Sequence, residues 1–309
     1  MEVLSPSSNV LQNLRRPVVT VGSFDGLHRA HQAILEEIER RAERIQGHSL
    51  VMTFEPHPRL VVDRGNAPAL LTTRQEKLDL LKQWRIDFTL LWPFTEPLAS
   101  LPASRFVKEI LHERIGVHEM VIGHDHAFGH DRRGRLKTLQ DLGQQFYFTV
   151  TAIEPVLYEN KPISSTRIRR RLEKGDVVAA AQMLGRPYEL EGSVVRGEGR
   201  GRGLQYPTAN LDVPQRKLIP GDGVYAVRWK RNSDRTGGLV NIGVRPTFTG
   251  THRTLELHLF DFQGSLYGEQ VRIQFIERIR EERKFTSGRS LTAQMKKDEQ
   301  TARRLLAAR

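Results

Sequence analysis

Cysteine and long apolar stretches are both missing from this sequence. Without a single cysteine among its 309 residues, the chain has no disulfide framework, thiolate nucleophile or cysteine-ligated zinc. No apolar run approaches the ~20 residues that span a bilayer. Residues 1–17 also lack the basic-then-apolar pattern of a secretory signal. We therefore expect a cytoplasmic protein without a membrane partner.

The composition is that of a folded globular protein. Hydrophobic residues make up 38% and charged residues 27%, which excludes wholesale disorder and a fibrous repeat. The length allows two domains of ~150 residues each. Lys and Arg number 48 against 36 Asp and Glu, a formal charge of +12. This excess of positive charge would attract nucleic acid, an acidic membrane surface or nucleotide phosphates equally well. The alternative is a basic surface that contacts only solvent.

The first part of the chain, residues 1–185, has the pattern of an α/β domain. Short apolar, β-branched runs alternate with helical patterns, which predicts βα units around a mostly parallel sheet. Between the first two runs, Ile34, Leu35, Ile38, Ala42 and Ile45 recur at helical spacing and predict an amphipathic helix. The runs are Val18–Val21, Leu50–Phe54, Phe88–Trp92, Met120–Ile122 and Tyr147–Ile153.

Residues 186–309 have a different pattern. They hold most of the glycines, and strand-like alternation replaces helical periodicity. Segments such as Tyr188–Val195, Val224–Trp229 and Leu255–Phe260 predict a small antiparallel barrel or sandwich. A terminal helix is predicted from about Ser290. The domain boundary is placed at Gly185-Arg186-Pro187.

The segment Val19–Leu35 carries the clearest chemical pattern. A predicted strand leads into a turn with Gly22, Phe24, Asp25 and Gly26, and a helix follows. Such a turn lies at the carboxyl end of a strand, where open α/β sheets bind ligands. Amides at the start of the helix favour a phosphate.

Two histidines follow this turn on the predicted helix. His28 and His31 are three residues apart, so we expect them on one helix face. There they would hydrogen-bond the charge that develops on phosphate oxygens during transfer. Without the turn beside them, two surface histidines at this spacing would be an ordinary coincidence. The strand, glycine turn, His-x-x-His and helix resemble the HIGH-motif superfamily of nucleotidyltransferases, and no Walker A sequence occurs in the chain.

Residues 163–169 form a second candidate phosphate site at a predicted helix start. Ser164, Ser165 and Thr166 supply hydroxyl groups and Arg169 supplies a guanidinium that clamps an anion. Serine or threonine at this position also caps a helix, which is the structural alternative. The order of residues resembles the second signature, ISSTxIR, of the same transferases.

The loop at residues 123–134 contains His124, His126, His130 and two aspartates. Its spacing matches no common zinc site. A loop that contacts a nucleotide or flavin at the end of a strand explains the polar residues better, and Asp125 is its candidate flavin contact.

In the second domain, residues 196–211 combine closely spaced glycines and arginines with a Pro-Thr-Ala-Asn sequence. Gly201 and Arg202 are candidate phosphate-binding residues, because glycines let backbone amides approach phosphates. Thr208 and Asn210 offer oxygen ligands of the kind that Mg²⁺ accepts beside nucleotide phosphates. A short Arg/Gly stretch of this kind is also typical of single-strand RNA binding.

Glu256 is the candidate base of the second domain. In residues 255–261 the leucines alternate with Glu256 and His258, which places these two side chains on the face opposite the leucines. A solvated strand glutamate is the ordinary explanation of this pattern. Beside a phosphate site, Glu256 would accept the proton of a substrate hydroxyl as that hydroxyl attacks a γ-phosphate.

Taken together, these motifs identify a family resemblance. The chain resembles the bifunctional riboflavin kinase/FAD synthetase family over nearly its entire length. The resemblance rests on an ordered set of segments: GSFDGLHRAH, FEPHP, ISSTRIR, GRGLQYPTAN, GVYAV, NIGVRPT, LELHLFD and IREERKF. It implies an N-terminal Rossmann-like nucleotidyltransferase domain of the HIGH superfamily and a C-terminal antiparallel Greek-key β-barrel with a terminal helix.

The resemblance also implies the chemistry. Riboflavin and ATP give FMN and ADP in the barrel. FMN and ATP then give FAD and pyrophosphate in the first domain, an FMN adenylyltransferase step. Both steps use Mg²⁺, and neither zinc nor haem is implied. The partners are these small molecules, with no nucleic acid, and a weak homo-oligomer is compatible with them.

Site residues follow from the same resemblance. His28 and His31 act on the ATP phosphates and the transition state, and residues 164–166 with Arg169 bind phosphates. Thr208 and Asn210 hold Mg-ATP, and Glu256 is the base for the ribityl 5′-hydroxyl. Arg280 and Phe285 belong to a flavin-side closure pattern.

Two departures from the family pattern predict altered kinetics. Ala30 stands where the family writes glycine before the second histidine, and Gln205 stands where a glycine commonly precedes the aromatic residue. Three alternatives remain open from sequence: a chain with one working half, an unrelated HIGH-superfamily transferase, and a basic RNA-binding protein.

Overall fold

The computed structural model describes residues 1–124, 136–195, 208–231, 234–247, 250–283 and 285–308. Its internal contacts divide the chain into two compact units, Met1–Ser165 and Thr166–Arg309. Residues 166–185, which sequence reasoning assigns to the first domain, fall in the second unit by this measure. The functional boundary near residue 185 stays a prediction.

The first unit is built on a six-stranded parallel sheet with the order β1-β4-β3-β2-β5-β6. Its strands are β1 (Glu2–Leu4), β2 (Val18–Val21), β3 (Ser49–Glu55), β4 (Phe88–Pro93), β5 (Glu119–Gly123) and β6 (Thr149–Ile153). The strand order reverses at β2, which has β3 on one side and β5 on the other. Parallel α/β sheets bind ligands outside the carboxyl ends of the strands at this position.

Helices connect these strands. They are α1 (Arg29–Arg44), α2 (Pro58–Val62), α3 (Arg74–Leu81), α4 (Glu96–Ala99), α5 (Ala103–Arg105) and α6 (Leu136–Gln145), with a 3₁₀ helix at Asn9–Asn13 and a π-helix at Phe106–Ile115. A small hairpin, β7 (Leu157–Tyr158) and β8 (Lys161–Pro162), precedes α7 (Ser165–Glu173).

The burial pattern explains the sheet. All four residues of β2 are buried, as expected for a strand covered on both faces. α1 packs Ile34, Leu35 and Ile38 against Val18 and Val51. The predicted α/β class and its five strand runs are confirmed. β1 was missed, because three residues at a sheet edge are too short to show a period.

The second unit contains a closed six-stranded barrel with the order β10-β13-β12-β11-β14-β9. Three hairpin-connected strands are followed by β14, which lies beside the first of them, so the predicted Greek-key barrel is confirmed. The strands are β9 (Tyr188–Val195), β10 (Ala209–Asp212), β11 (Gly223–Arg231), β12 (Asp234–Thr247), β13 (Gly250–Leu259) and β14 (Gln270–Arg280).

Helix α7, apart from Ser165, also belongs to this unit. Helices α8 (Val177–Leu184) and α9 (Gly288–Ala307) complete it. α9 is the predicted terminal helix. Its Ala302 packs against Val224, Ala226, Leu239 and Phe260 on the outer face of the barrel.

Candidate active sites

The first candidate site is the turn that follows β2. The amide of Gly22 donates to the carbonyl of Met52 at 3.0 Å, which continues the pairing with β3. A Cβ on Gly22 would lie 3.1 Å from the ring of Phe24. Phe24, Gly26 and Leu27 all have positive φ, at 49°, 85° and 40°. The backbone therefore folds tightly before α1 begins, at the point where the strand order reverses.

Asp25 holds this turn in shape. Its side chain is buried, with 3% exposed. The two carboxylate oxygens accept hydrogen bonds from the amides of Leu71 and Thr72, at 3.2 and 3.0 Å, and from the Thr72 hydroxyl at 3.2 Å. The Thr72 hydroxyl in turn accepts from the amide of Gly26 at 3.1 Å. The carboxylate thus supports the turn, and its direct contact with a phosphate stays a prediction.

Removal of the Asp25 carboxylate is expected to destabilise the first unit. Asp25→Ala leaves two buried amides without their acceptor, and each such loss costs about 1–3 kcal/mol. A Trp229→Phe background confines tryptophan fluorescence to the first unit, where Trp84 and Trp92 lie. Urea titration in that background, followed by tryptophan fluorescence, should show a lower free energy of unfolding for Asp25→Ala. The exposed Asp63→Ala serves as the matched control, and equal free energies of unfolding for the two variants would contradict the prediction.

The histidine pair lies directly after the turn. His28 is the N-cap residue of α1 and is buried. The rings of His28 and His31 stack with centroids 3.7 Å apart, and the ring of Phe24 lies 5.1 Å from that of His31. The expectation that both imidazoles share one face is confirmed. They stand beside amides at a helix N-terminus, where an anion is favoured.

The second candidate phosphate motif, residues 163–169, leads into α7. Ser165 donates its hydroxyl to the carbonyl of Asp25 at 2.9 Å, which joins this motif to the glycine turn within the first unit. Ser164 is half-buried beside it. Thr166 is exposed and Arg169 is buried, and both belong to the second unit. Phosphate binding by these four residues stays a prediction.

The second candidate site is a row of polar residues across the barrel. Asn210 on β10 pairs with Glu256 on β13, and Glu256 pairs with Asn241 on β12. Directly paired residues project on the same face with Cβ atoms about 4.5–5.5 Å apart. Leu255 and Leu257 are buried on the opposite face, so the predicted alternation is confirmed. Thr208 lies just before β10.

Asn241 lies in this polar row, and sequence reasoning did not select it. It is half-buried between Val240 and Ile242, which are fully buried. The sequence does contain a signal for this residue, because Asn241, the first residue of NIGVRPT, interrupts a run of apolar residues. Only the strand register shows that this amide lies opposite Glu256.

Arg280 ends β14 and pairs with Val224, which also pairs with Asn241, and Phe285 follows a few residues later. The guanidinium of Arg280 donates to the carboxylate of Asp298 on α9 at 3.0 Å, and Asp298 is 3% exposed. The Phe285 ring lies 5.7 Å from the Arg280 guanidinium and 4.8 Å from that of Arg283. Arg280 therefore fastens α9 to β14, and flavin contact by Arg280 and Phe285 stays a prediction.

Breaking the Arg280–Asp298 pair is expected to loosen α9. Arg280→Met leaves a buried carboxylate without its cation, which costs about 3–5 kcal/mol. Hydrogen exchange in residues 288–308 should accelerate accordingly, because local opening sets that rate. Arg289→Met, at an exposed position of α9, is the matched control. Unchanged protection in the Arg280 variant would contradict this role.

Several predicted residues lie outside the described part of the chain: Asp125, Gly201, Arg202 and Gln205, together with His126 and His130 of the rejected zinc pattern. Across the described ranges, no three His, Asp or Glu side chains gather closely enough to hold a metal ion. Within the same ranges, no helix is both long and apolar enough to cross a membrane.

A parallel α/β unit is followed by a Greek-key barrel, and each unit carries its own cluster of polar residues. The family profile for FAD synthetase matches residues 10–167, and that for riboflavin kinase matches residues 184–306, which makes the chain a transferase with two parts. The chain belongs to the bifunctional riboflavin kinase/FMN adenylyltransferase family, as the motifs indicated.

Two relatives carry the name of this family, and one solved structure with a different title has a similar fold. The bifunctional riboflavin kinase/FMN adenylyltransferase of Buchnera aphidicola (from Schizaphis graminum) is 35% identical and aligns over 96% of both chains. The protein of the same name from Escherichia coli K12 is 36% identical over 93% of this chain and 91% of its own. A crystal structure described as a macrolide-efflux protein from Streptococcus pneumoniae has a TM-score of 0.88 and 30% identity, and it covers 98% of this chain and 99% of its own.

Proposed function

We propose that the two units perform consecutive reactions at separate sites, with riboflavin phosphorylated in the barrel and FMN adenylylated in the first unit. The observation that supports this proposal is the presence of two unlike constellations. One is an imidazole pair at a helix N-terminus. The other is a carboxylate between two amides on adjacent strands.

In the first unit, we assign adenylyl transfer to the turn and the histidine pair. A phosphate oxygen of FMN forms a bond to the α-phosphorus of ATP, the bond to the β-phosphate bridging oxygen breaks, and pyrophosphate leaves. The nucleophile is already anionic, so positioning replaces a strong base. His28 and His31 donate hydrogen bonds to the phosphate charge, and the amides of the turn and of α1 bind the same anion.

In the barrel, Glu256 accepts the proton of the ribityl 5′-hydroxyl while that oxygen attacks the γ-phosphorus of ATP. The bond to the β-phosphate oxygen breaks, ADP leaves and FMN is formed. Asn210 and Asn241 lie on either side of Glu256 in the strand register. Their amides offer hydrogen bonds that hold the carboxylate toward its substrate.

Both proposed reactions use Mg²⁺ as the metal cofactor. The hydroxyl of Thr208 and the side-chain carbonyl of Asn210 are hard oxygen donors, and Asn210 shares its face with Glu256. This donor set fits a cation that keeps several waters and binds nucleotide phosphates. Bound Mg²⁺ would neutralise phosphate charge. We place both reactions in the cytoplasm, with small molecules rather than nucleic acid as partners.

Chromatography of flavins over time tests this function. Purified protein with ATP and Mg²⁺ receives riboflavin in one reaction and FMN in the other. We expect FMN and then FAD from riboflavin, and FAD directly from FMN. If riboflavin is converted only to FMN and supplied FMN is not converted, only the kinase half is active. Ala30→Gly is then the first variant to test for recovery of FAD formation. No flavin conversion in either reaction would contradict the proposal.

A further inference from the structure

Lys77 is a buried cation next to the turn that follows β2. It lies on α3, and 5% of its surface is exposed. Lysine is almost never buried to this extent without partners. Its side chain reaches the carboxyl ends of β2 and β3, the edge of the sheet from which the glycine turn departs.

Three oxygen atoms surround the Lys77 ammonium. Its Nζ donates to the carbonyl of Ser23 at 3.2 Å, to the hydroxyl of Thr53 at 3.2 Å and to the carbonyl of Phe54 at 3.3 Å. The Thr53 hydroxyl also donates to the Ser23 carbonyl, at 3.2 Å. Ser23 lies between Gly22 and Gly26, so Lys77 holds the backbone of the turn at Ser23.

The charge of Lys77 is sensitive to its surroundings. Burial lowers the pKa of its ammonium, and Arg74 on the same helix lowers it further. Glu55 at the end of β3 and Asp25 in the turn act in the opposite direction. The ammonium therefore loses its proton at a lower pH than an exposed lysine does.

We propose that Lys77 is a positioning residue for adenylyl transfer, whose ammonium holds the Ser23 carbonyl so that the turn presents its amides to the phosphates of ATP. The inference rests on the proposed function of the first unit. It differs from a purely structural role, in which Lys77 would only attach α3 to the sheet. A structural role affects stability, whereas a positioning role affects the KM for ATP in FAD formation.

The matched variants are Lys77→Met and Lys82→Met. Lys82 lies at the exposed end of the same helix. We expect Lys77→Met to raise the KM for ATP in FAD formation by about 10- to 100-fold, the loss expected when a charged donor is removed from buried carbonyls. Lys82→Met should leave it unchanged. Riboflavin phosphorylation by the same preparations should not change, because that site lies in the other unit.

The wild-type protein and Lys77→Arg supply a second test that does not depend on the folding of the methionine variant. Carboxylates and guanidinium groups do not titrate from about pH 7 to about pH 9.5. Burial lowers the pKa of the Lys77 ammonium, so the wild-type KM for ATP in FAD formation should rise as the solution becomes alkaline. Lys77→Arg keeps its charge, and its KM should stay flat.

Three outcomes have distinct meanings. A lower melting temperature for Lys77→Met with an unchanged KM would overturn the positioning role. Parallel pH profiles for wild type and Lys77→Arg would overturn it as well. If the wild-type protein forms no FAD from FMN, the proposed function of the first unit fails, and the Lys77 proposal fails with it.

Discussion

Replacing Glu256 with glutamine is expected to slow riboflavin phosphorylation by about 10²- to 10⁴-fold, the usual contribution of a positioned general base. Glutamine preserves the size of the side chain and its hydrogen-bonding groups. It cannot accept the proton of the ribityl hydroxyl, because an amide is not basic at neutral pH. The defect should therefore appear in kcat, with the KM values for riboflavin and ATP little changed.

The strand register sharpens this prediction. Glu256 lies opposite Asn210 and Asn241, so a glutamine at this position can still form hydrogen bonds with both side-chain amides. Glu191→Gln is the matched control, since Glu191 is a strand glutamate of the same barrel that pairs with Arg272 at 2.6 Å. Equal rates of riboflavin phosphorylation for the two variants would contradict the role of Glu256 as the base. FAD formation from FMN should be normal in both.

Replacing His28 with alanine is expected to slow FAD formation from FMN by about 10²- to 10³-fold, the effect of removing one donor to transition-state charge. His28 lies at the N-terminus of α1 with its ring stacked on that of His31. The variant loses one imidazole and the contact that orients the other. Riboflavin phosphorylation should continue at the wild-type rate.

His118→Ala is the matched control, because His118 is an exposed histidine of the same unit. His28→Asn retains a side-chain hydrogen-bond donor and is expected to recover part of the rate. Thermal melting separates loss of structure from loss of chemistry. An unaltered rate for His28→Ala, measured well below its melting temperature, would exclude the proposed role.

Much of the architecture follows from local patterns. Buried parallel strands are apolar runs, such as Val18–Val21, and barrel strands alternate, as Leu255 and Leu257 do around Glu256. Both patterns extend over several residues and survive in the folded protein. The candidate residues close to these patterns, such as His28 and His31, could be predicted because their geometry depends on one helix turn.

Contacts between distant segments could not be predicted. The partners of Asp25 are 46 and 47 residues away at Leu71 and Thr72, and no local pattern encodes that distance. Lys77 is a charged residue on a short helix, which ordinarily indicates a solvated position. Its burial depends on where α3 packs against the ends of two strands.

The central claim is that one chain carries two independent sites, and four flavin chromatograms test it most directly. Glu256→Gln and His28→Ala are each supplied with riboflavin or with FMN, in the presence of ATP and Mg²⁺. Over the time in which the wild-type protein completes both reactions, Glu256→Gln should leave nearly all riboflavin unconverted and turn FMN into FAD. Over the same time, His28→Ala should convert riboflavin to FMN and leave nearly all FMN, whether formed or supplied, unchanged. Loss of both reactions in either folded variant, or of neither, would contradict the assignment of one reaction to each unit.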